Sequence, residues 1–177
     1  MLPMKIASAL LVMVLLIPLC QGCVGTRDIS SQRPYSSLIG KKYILRQSCY
    51  VYRTRETGDR LFVGNASVGH FLPEEVTPHF IGRQTGGGVT IEGILPQGTM
   101  FTIVSCEEER HPEDIFRRLK ATFQNASFGG QALDVSDLTD MSKEPPAFRE
   151  TLAVPVEDGS AKIETPNPAP KPTPAAP

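Results

Sequence analysis

The chain contains no tryptophan and no long run of charges of one sign. Tryptophan is strongly enriched in binding hot spots, so its absence removes a common anchor of protein interfaces. The 18 Lys and Arg residues and the 19 Asp and Glu residues are mixed along 177 positions. Because no basic block would follow a phosphate backbone, the sequence predicts no nucleic-acid partner. The absence of a long acidic run likewise predicts no strongly basic partner.

Motifs of common catalytic and phosphate-binding sites are also missing. Ser105 has no flanking G-x-S-x-G elbow, and the glycines at 86–88 lack the Lys and Ser/Thr of a phosphate-binding loop. Asp134, Asp137 and Asp140 recur at three-residue spacing, which favours capping of turns, since a calcium loop needs a glycine and a distal glutamate. The sequence therefore predicts neither a catalytic residue nor a cofactor.

The chain begins with a segment typical of a secretory signal, residues 1–22. Lys5 provides a basic start, residues 6–19 form an apolar run, and small residues precede Cys23. The run is too short for a membrane-spanning helix. We therefore expect the protein to be exported and this segment to be removed.

The signal ends in Leu-Cys-Gln-Gly-Cys, which resembles the lipobox of bacterial lipoproteins. Gly22 fits the small residue before the lipidated cysteine, whereas Cys20 stands where leucine is usual. The resemblance implies that Cys23 becomes the lipid-bearing N-terminus and that its acyl chains hold the protein on a membrane. Val24, in place of the aspartate typical of inner-membrane retention, favours the outer membrane, facing the periplasm. The alternative is ordinary secretion with Cys23 unmodified.

Cys49 and Cys106 lie in strand-like segments of the mature chain. An oxidising periplasm favours a disulfide between two buried cysteines, so we expect a Cys49–Cys106 bridge. Closing this loop of roughly 60 residues would contribute on the order of 4 kcal/mol by the chain-entropy estimate. Two other interpretations stay open, namely reduced core thiols that pack as small apolar residues and a catalytic thiol without a hydrolase motif.

Changes of composition divide the mature chain into three parts. Residues 23–37 are polar and lack periodicity, so they are interpreted as a tether. Residues 38–141 are expected to form one domain. Residues 142–177 are rich in proline and alanine and poor in large apolar residues, which predicts a disordered, polyproline-like tail.

Within the domain, short apolar segments alternate with glycine and proline turns. Residues 41–53 alternate between two partly covered faces, and residues 89–95 and 99–106 are typical strands joined by a Pro-Gln-Gly turn. Residues 107–114 are expected to form a charged loop. Residues 115–123 are ambiguous, because their apolar spacing fits one side of a helix or of a strand. Many short strands predict an all-β fold, either a small antiparallel barrel or a sandwich.

The order of these segments resembles the bacterial Src-homology-3-like (SH3-like) domains of cell-envelope proteins over residues 38–140. The likeness depends chiefly on the ILPQGT turn at 94–99 and the strand after it. It implies a small antiparallel SH3-like barrel and favours a strand at 115–123. The sequence departs from the family where Ile115 and Phe116 replace the usual tryptophan. A glycine–tryptophan pair is also missing after the last hairpin.

The resemblance implies a binding role, because members of this family often bind peptidoglycan or peptides. The aromatic residues of such a groove are not evident in the sequence, so no binding residues are transferred. We expect a non-catalytic lipoprotein, attached to the membrane through its N-terminal lipid, whose barrel contacts an envelope protein or the cell wall.

Two alternatives to this role stay open. The first is a metal-dependent envelope hydrolase that uses the only dense group of possible ligands, His70, Glu74, Glu75 and His79. Prolines at 73 and 78 interrupt any helix that would align these ligands, which favours an ordinary loop without metal. The second alternative is a structural subunit of a secretion or surface assembly.

Overall fold

The computed structural model describes residues 25–66, 71–124, 127–128 and 130–156 of the chain. The predicted signal, residues 1–22, and the predicted lipidation site, Cys23, lie outside these residues. Within the described ranges, no helix is long and apolar enough to cross a membrane.

β-Strands dominate the described residues, whose helices are all single 3₁₀ turns. The prediction of an all-β fold is confirmed. The strands are β1 (Gly25–Asp28), β2 (Lys42–Leu45), β3 (Cys49–Thr54), β4 (Phe62–Gly64), β5 (Val89–Leu95), β6 (Met100–Arg110), β7 (Ile115–Phe123), β8 (Leu133–Asp134), β9 (Thr139–Asp140), β10 (Ala147–Phe148) and β11 (Ala153–Pro155). The 3₁₀ turns lie at Tyr35–Ser37, Pro78–Phe80, Gly86–Gly88 and Ser136–Leu138.

Nine strands form one sheet in the order β11-β2-β6-β7-β8-β4-β3-β5, with β1 also paired to β6. Neighbouring strands are antiparallel except for β4 and β8, which are parallel. Strands β9 and β10 form a separate pair. Within the described residues neither sheet closes on itself, so the all-β class is shown while a closed SH3-like barrel is not.

The ambiguous segment at 115–123 is strand β7, which forms a hairpin with β6. Its apolar spacing fits a helix equally well, and pairing with β6 decides between the two. From Leu119 onward, alternate residues of β7 face the core. A bulge between Ile103 and Ser105 shifts the alternation of β6, so that Cys106 is also buried. The interpretation as a strand is confirmed.

Strand β6 extends through residues 107–110, which the sequence predicts as the start of a charged loop. That prediction is wrong because basic residues of β7 compensate the charges of the three glutamates. Cross-strand pairs of opposite charge stabilise a sheet even where the local β-propensity is low. The ion pairs are Glu107–Lys120, Glu108–Arg117 and Glu109–Arg118.

The core consists of two clusters that meet at β3. Four consecutive residues of this strand, Cys49 to Tyr52, are buried. Cys49 and Val51 belong to the larger cluster, and Tyr50 and Tyr52 belong to the smaller one with Leu72 and Ile91. Covering both faces of β3 agrees with the alternation expected for residues 41–53.

The predicted tether at 23–37 is wrong for residues 25–37, which belong to the domain. Strand β1 pairs with the outer half of β6, from Gly25 opposite Arg110 to Asp28 opposite Glu107. Ile29 and Tyr35 are buried in the larger cluster. Isolated apolar residues in a polar stretch carry no periodic signal, so only their long-range partners reveal that they are ordered.

The predicted tail at 142–177 begins too early, because residues 142–156 are also part of the domain. Strand β11 pairs with β2, and the Arg46 N–H donates to the Leu152 carbonyl at 2.8 Å. Leu152 and Ala153 are buried in the larger cluster. Strand β10 pairs with β9. Residues 157–177 lie outside the described residues.

Substitution of Leu152 tests the assignment of this segment to the core. Leu152 is 1% exposed, so we expect Leu152→Ala to lower the free energy of unfolding by about 2–5 kcal/mol. The adjacent residue Thr151 is exposed and provides a control. We expect Thr151→Ala to change the free energy of unfolding by less than about 0.5 kcal/mol. Urea denaturation measures both. Equal stability of the two variants would contradict the assignment.

Candidate ligand-binding groove

Phe62 of β4, Phe116 of β7 and Phe71 of the segment between β4 and β5 line one concave surface, which we call the aromatic groove. Strands β7, β8, β4 and β3 are neighbours, so side chains from distant parts of the sequence meet there. The groove encloses about 630 Å³. A depression of this size, with apolar walls and a few polar groups, is typical of a ligand site. Its principal residues are Tyr52, Phe62, Phe71, Phe116, Arg118 and Asp137.

One wall of the groove is Phe71, whose ring lies against the glycine turn at 86–88. The side chain of Phe71 is 67% exposed. Gly87 has a positive φ of 66°, and a Cβ atom at this position would collide with the Phe71 ring. Any other residue at position 87 would therefore disfavour both the positive φ and the close contact with the Phe71 ring. The glycine run, which lacks the features of a phosphate-binding loop, supports an aromatic ring.

The base of the groove is formed by Tyr52, which is fully buried. Its ring stacks on Phe62 with a centroid distance of 5.6 Å. Its hydroxyl donates a hydrogen bond to the Asp137 carboxylate. Burial, together with the negative charge of Asp137, raises the pKa of Tyr52, so the hydroxyl stays protonated and continues to donate.

Arg118 supplies the positive charge of the groove. Its guanidinium carbon lies 5.8 Å from the centroid of the Phe62 ring and 5.9 Å from that of Phe116. Ion pairs with Glu109 at 2.9 Å and with Asp134 at 3.5 Å hold it there. Contacts of an arginine with aromatic faces are favourable when the ion is partly desolvated. The cation is therefore fixed between two aromatic side chains.

The carboxylates that hold Arg118 have opposite pKa shifts. Burial disfavours the charged form of Glu109, but hydrogen bonds from Arg60 and Arg118 outweigh it and lower the pKa of Glu109 to about 2. Burial raises the pKa of Asp134, although hydrogen bonds from Ser136 and the charge of Arg118 oppose that shift. Glu109 therefore stays ionised at neutral pH as the principal counter-ion of Arg118.

The expected disulfide is not present, because Cys49 and Cys106 are both free and fully buried. Their strands, β3 and β6, are separated by β7, β8 and β4 in the sheet order. Burial raises the pKa of Cys49 to about 12 and that of Cys106 likewise to about 12. A thiol that stays protonated at neutral pH is a poor nucleophile. The structure thus matches the interpretation of the two cysteines as core thiols.

The possible metal ligands at 70–79 are not brought together in the described residues. His70 lies outside those residues. His79 Nε2 lies 2.8 Å from Arg83 Nη1, and the backbone carbonyl of Glu75 accepts a hydrogen bond from the Tyr50 hydroxyl. Among the described residues, no three His, Cys, Asp or Glu side chains form a group that could hold a metal ion. The hydrolase alternative therefore has no support from this part of the chain.

The three aspartates at 134, 137 and 140 have separate roles. Asp134 and Asp140 cap turns, accepting hydrogen bonds from the backbone N–H groups of Ser136 and Ser142. That confirms the capping predicted from their spacing. The contact of Asp137 with Tyr52 was not predicted, since the two residues are 85 positions apart.

The sequence does not reveal an aromatic set for binding, whereas the structure places Phe62, Phe71 and Phe116 around one groove. The local sequence around these residues gives only a weak signal, because Phe71 and Phe116 each adjoin one large apolar residue, Leu72 and Ile115, in otherwise polar stretches. Comparison of the chain with family models, curated proteins and solved structures gives no match. The role of the groove is therefore inferred from its own residues.

The two cysteines allow a chemical test of the core. We expect Cys49 and Cys106 to resist iodoacetamide at pH 8 in the folded protein, because burial raises their pKa to about 12. Without reductant, denatured protein is expected to be alkylated at both residues, as measured by peptide mass spectrometry. Protection that persists in denaturant until a reductant is added would reveal a disulfide instead.

The lowered pKa of Glu109 predicts acid sensitivity. A carboxyl group whose pKa is lowered by folding stabilises the folded protein fully at pH values above its ordinary pKa, here 4.5. That stabilisation is lost as the pH falls toward the lowered pKa of about 2. We expect Glu109→Gln to lower the free energy of unfolding by about 1–3 kcal/mol at pH 7. The variant should also lose less stability than wild type between pH 4.5 and pH 2.

Urea denaturation at a series of pH values measures this difference. Glu113→Gln serves as the control, because Glu113 is an exposed glutamate on the neighbouring turn. We expect its stability to follow that of wild type across the range. Parallel pH profiles for Glu109→Gln and wild type would show that Glu109 is not a stabilising counter-ion of Arg118.

Proposed function

We propose that this chain is a non-catalytic, lipid-anchored protein of the bacterial cell envelope whose aromatic groove binds a peptide segment of a partner. The observation that carries the proposal is the groove itself, with its three phenylalanines, its fixed Arg118 cation and its Asp137 carboxylate. Concave surfaces with apolar walls and few charged groups are the usual form of a peptide or small-molecule site.

The chemistry of the groove favours an extended peptide as the ligand. Phe71 and Phe116 offer exposed aromatic faces to an apolar side chain. Arg118 and Asp137, which are held in place by Glu109 and Tyr52, bring opposite charges to the same surface, and a peptide backbone carries both donors and acceptors. Such a peptide belongs either to a neighbouring envelope protein or to the peptide part of the cell wall.

The location in the envelope is supported by the N-terminal sequence. Residues 1–22 are typical of a signal, and Cys23 follows a lipobox-like sequence. In this proposal the acyl chains on Cys23 hold the domain at the outer membrane, facing the periplasm. Two or more chains are sufficient for persistent attachment.

The finer fold assignment belongs to the same proposal, in which the domain is a variant of the SH3-like envelope barrel. The ILPQGT sequence comprises the last two residues of β5 and the turn to β6, and the β6–β7 hairpin comes next in the chain. This order of segments supports the proposal. The proposal includes β1 and β11 as strands added to the SH3-like arrangement.

Binding assays on groove variants test the proposed function. We expect Phe71→Ala and Phe116→Ala each to weaken binding by about tenfold, equivalent to roughly 1.4 kcal/mol. The probes are purified peptidoglycan sacculi, assayed by co-sedimentation, and an array of extended peptides. Binding to sacculi alone identifies the cell wall, and binding to the array identifies a protein partner.

The control for this assay is Ile81→Ala, which removes an exposed apolar side chain outside the groove. Ile81 is 46% exposed, so its truncation is expected to leave both binding and stability unchanged. Thermal unfolding of all three variants checks that the fold is retained. Wild-type binding by the two groove variants would refute the groove as the site. Turnover abolished by a single His or Glu substitution would refute the non-catalytic role.

A further inference from the structure

The chain enters the domain at the end of the sheet where the β6–β7 hairpin turns. Gly25, the first residue of β1, pairs with Arg110, the last residue of β6. Arg110 also pairs with Ile115, the first residue of β7. We call residues 110–116 the hairpin tip. The start of β1 and the hairpin tip therefore lie at one end of the molecule.

Only Val24 separates Gly25 from the proposed lipidation site at Cys23. Two Cα–Cα steps span at most about 7 Å. Because β1 begins immediately after this step, no tether holds the domain away from its anchor. A lipid on Cys23 would bring the hairpin tip to the surface of the bilayer.

The hairpin tip exposes apolar side chains at this end of the domain. Ile115 is 50% exposed and Phe116 is 43% exposed. They are the first two residues of β7, so they face opposite sides of the hairpin at its end. Of the other large exposed apolar residues of the described chain, Phe71 faces Phe116 across the aromatic groove, and Ile81 and Val104 are isolated. Isoleucine and phenylalanine at an exposed turn are well suited to the boundary between headgroups and acyl chains.

Three half-exposed arginines surround the tip, and each forms an ion pair with Glu108. The distances are 3.0 Å from Arg27, 2.9 Å from Arg110 and 3.8 Å from Arg117. Long basic side chains reach headgroup phosphates while their stems stay on apolar surface. Glu108 and the two acidic residues on the turn, Glu113 and Asp114, balance the three positive charges. The surface therefore fits shallow contact with a bilayer rather than deep insertion.

We propose that the hairpin tip is a membrane-contact surface and that the domain stands on the bilayer that holds its lipid anchor. This inference rests on the lipid anchor of the proposed function. The occupant of the surface is phospholipid, contacted at headgroup depth by Ile115 and its neighbours. Because Phe116 belongs to both the tip and the aromatic groove, the groove then opens close to the membrane surface.

The absence of tryptophan from the chain permits a direct measurement of depth. Ile115→Trp places a single fluorophore at the tip, and Val104→Trp places one on the same strand pair, at another exposed position. Val104 is 38% exposed and lies six residues from Arg110, or roughly 20 Å along β6. Because both sites are exposed, the variants are expected to fold, and urea denaturation checks this.

The full-length variants are purified from membranes and their intact masses are measured. They are then reconstituted into vesicles of phosphatidylcholine whose acyl chains are brominated near the headgroup, so that bromine quenches a nearby tryptophan. We expect an acyl adduct on Cys23 in both variants. The fluorescence of Ile115→Trp is expected to fall at least twofold relative to vesicles without bromine. That of Val104→Trp should change by less than about one tenth.

The outcomes separate this inference from the proposed function. An acyl adduct with no quenching at position 115, or with equal quenching at both positions, overturns the membrane contact and leaves the anchor in place. A mass without the adduct overturns the anchor and the contact together, while the binding assays on the groove remain independent of either result.

Discussion

Pairing along β6 is the constraint on which the rest of the domain depends. One edge of this strand is paired with β7 throughout, and the other edge binds β2 near its start and β1 near its end. Strand β11 reaches the sheet through β2. The first and last strands of the described chain are therefore both positioned by β6. Such pairing joins segments that are far apart in the sequence, and non-local contacts of this kind slow folding.

The charged half of the β6–β7 hairpin connects stability with the groove. Glutamates at 107–109 remain in a strand because basic residues of β7 neutralise them. Arg118 is one of those residues, and it also lies between Phe62 and Phe116. The ion pair that keeps the hairpin together thus fixes the cation of the groove, so the proposed site is preorganised rather than assembled by its ligand.

The proposed anchor and the proposed groove are linked by the same hairpin. Strand β1 joins β6 next to its turn, and Phe116 lies one residue into β7. A lipid at Cys23 would therefore determine the orientation of the groove as well as the location of the protein. This arrangement is suited to partners that approach along a membrane surface.

The sequence by itself determined the features that depend on neighbouring residues. Alternation of apolar side chains and turn residues were sufficient for the all-β class, for the strand at Val89–Leu95 and for the two covered faces of β3. Side-chain chemistry was sufficient for the caps at Asp134 and Asp140. Each of these is decided within a few residues of the chain.

The tertiary structure alone decided the features whose partners are distant in the sequence. Residues 115–123 are a strand because β6 pairs with them. Residues 25–37 and 142–156 belong to the domain because its core buries isolated apolar residues such as Ile29 and Leu152. Cys49 and Cys106 are free thiols buried in the same core cluster, and the sequence did not decide between this state and a disulfide. The groove could not be predicted, since its aromatic residues meet only when β3, β4 and β7 are brought together. Local propensity contains no information about such pairings, which depend on the packing of the whole sheet.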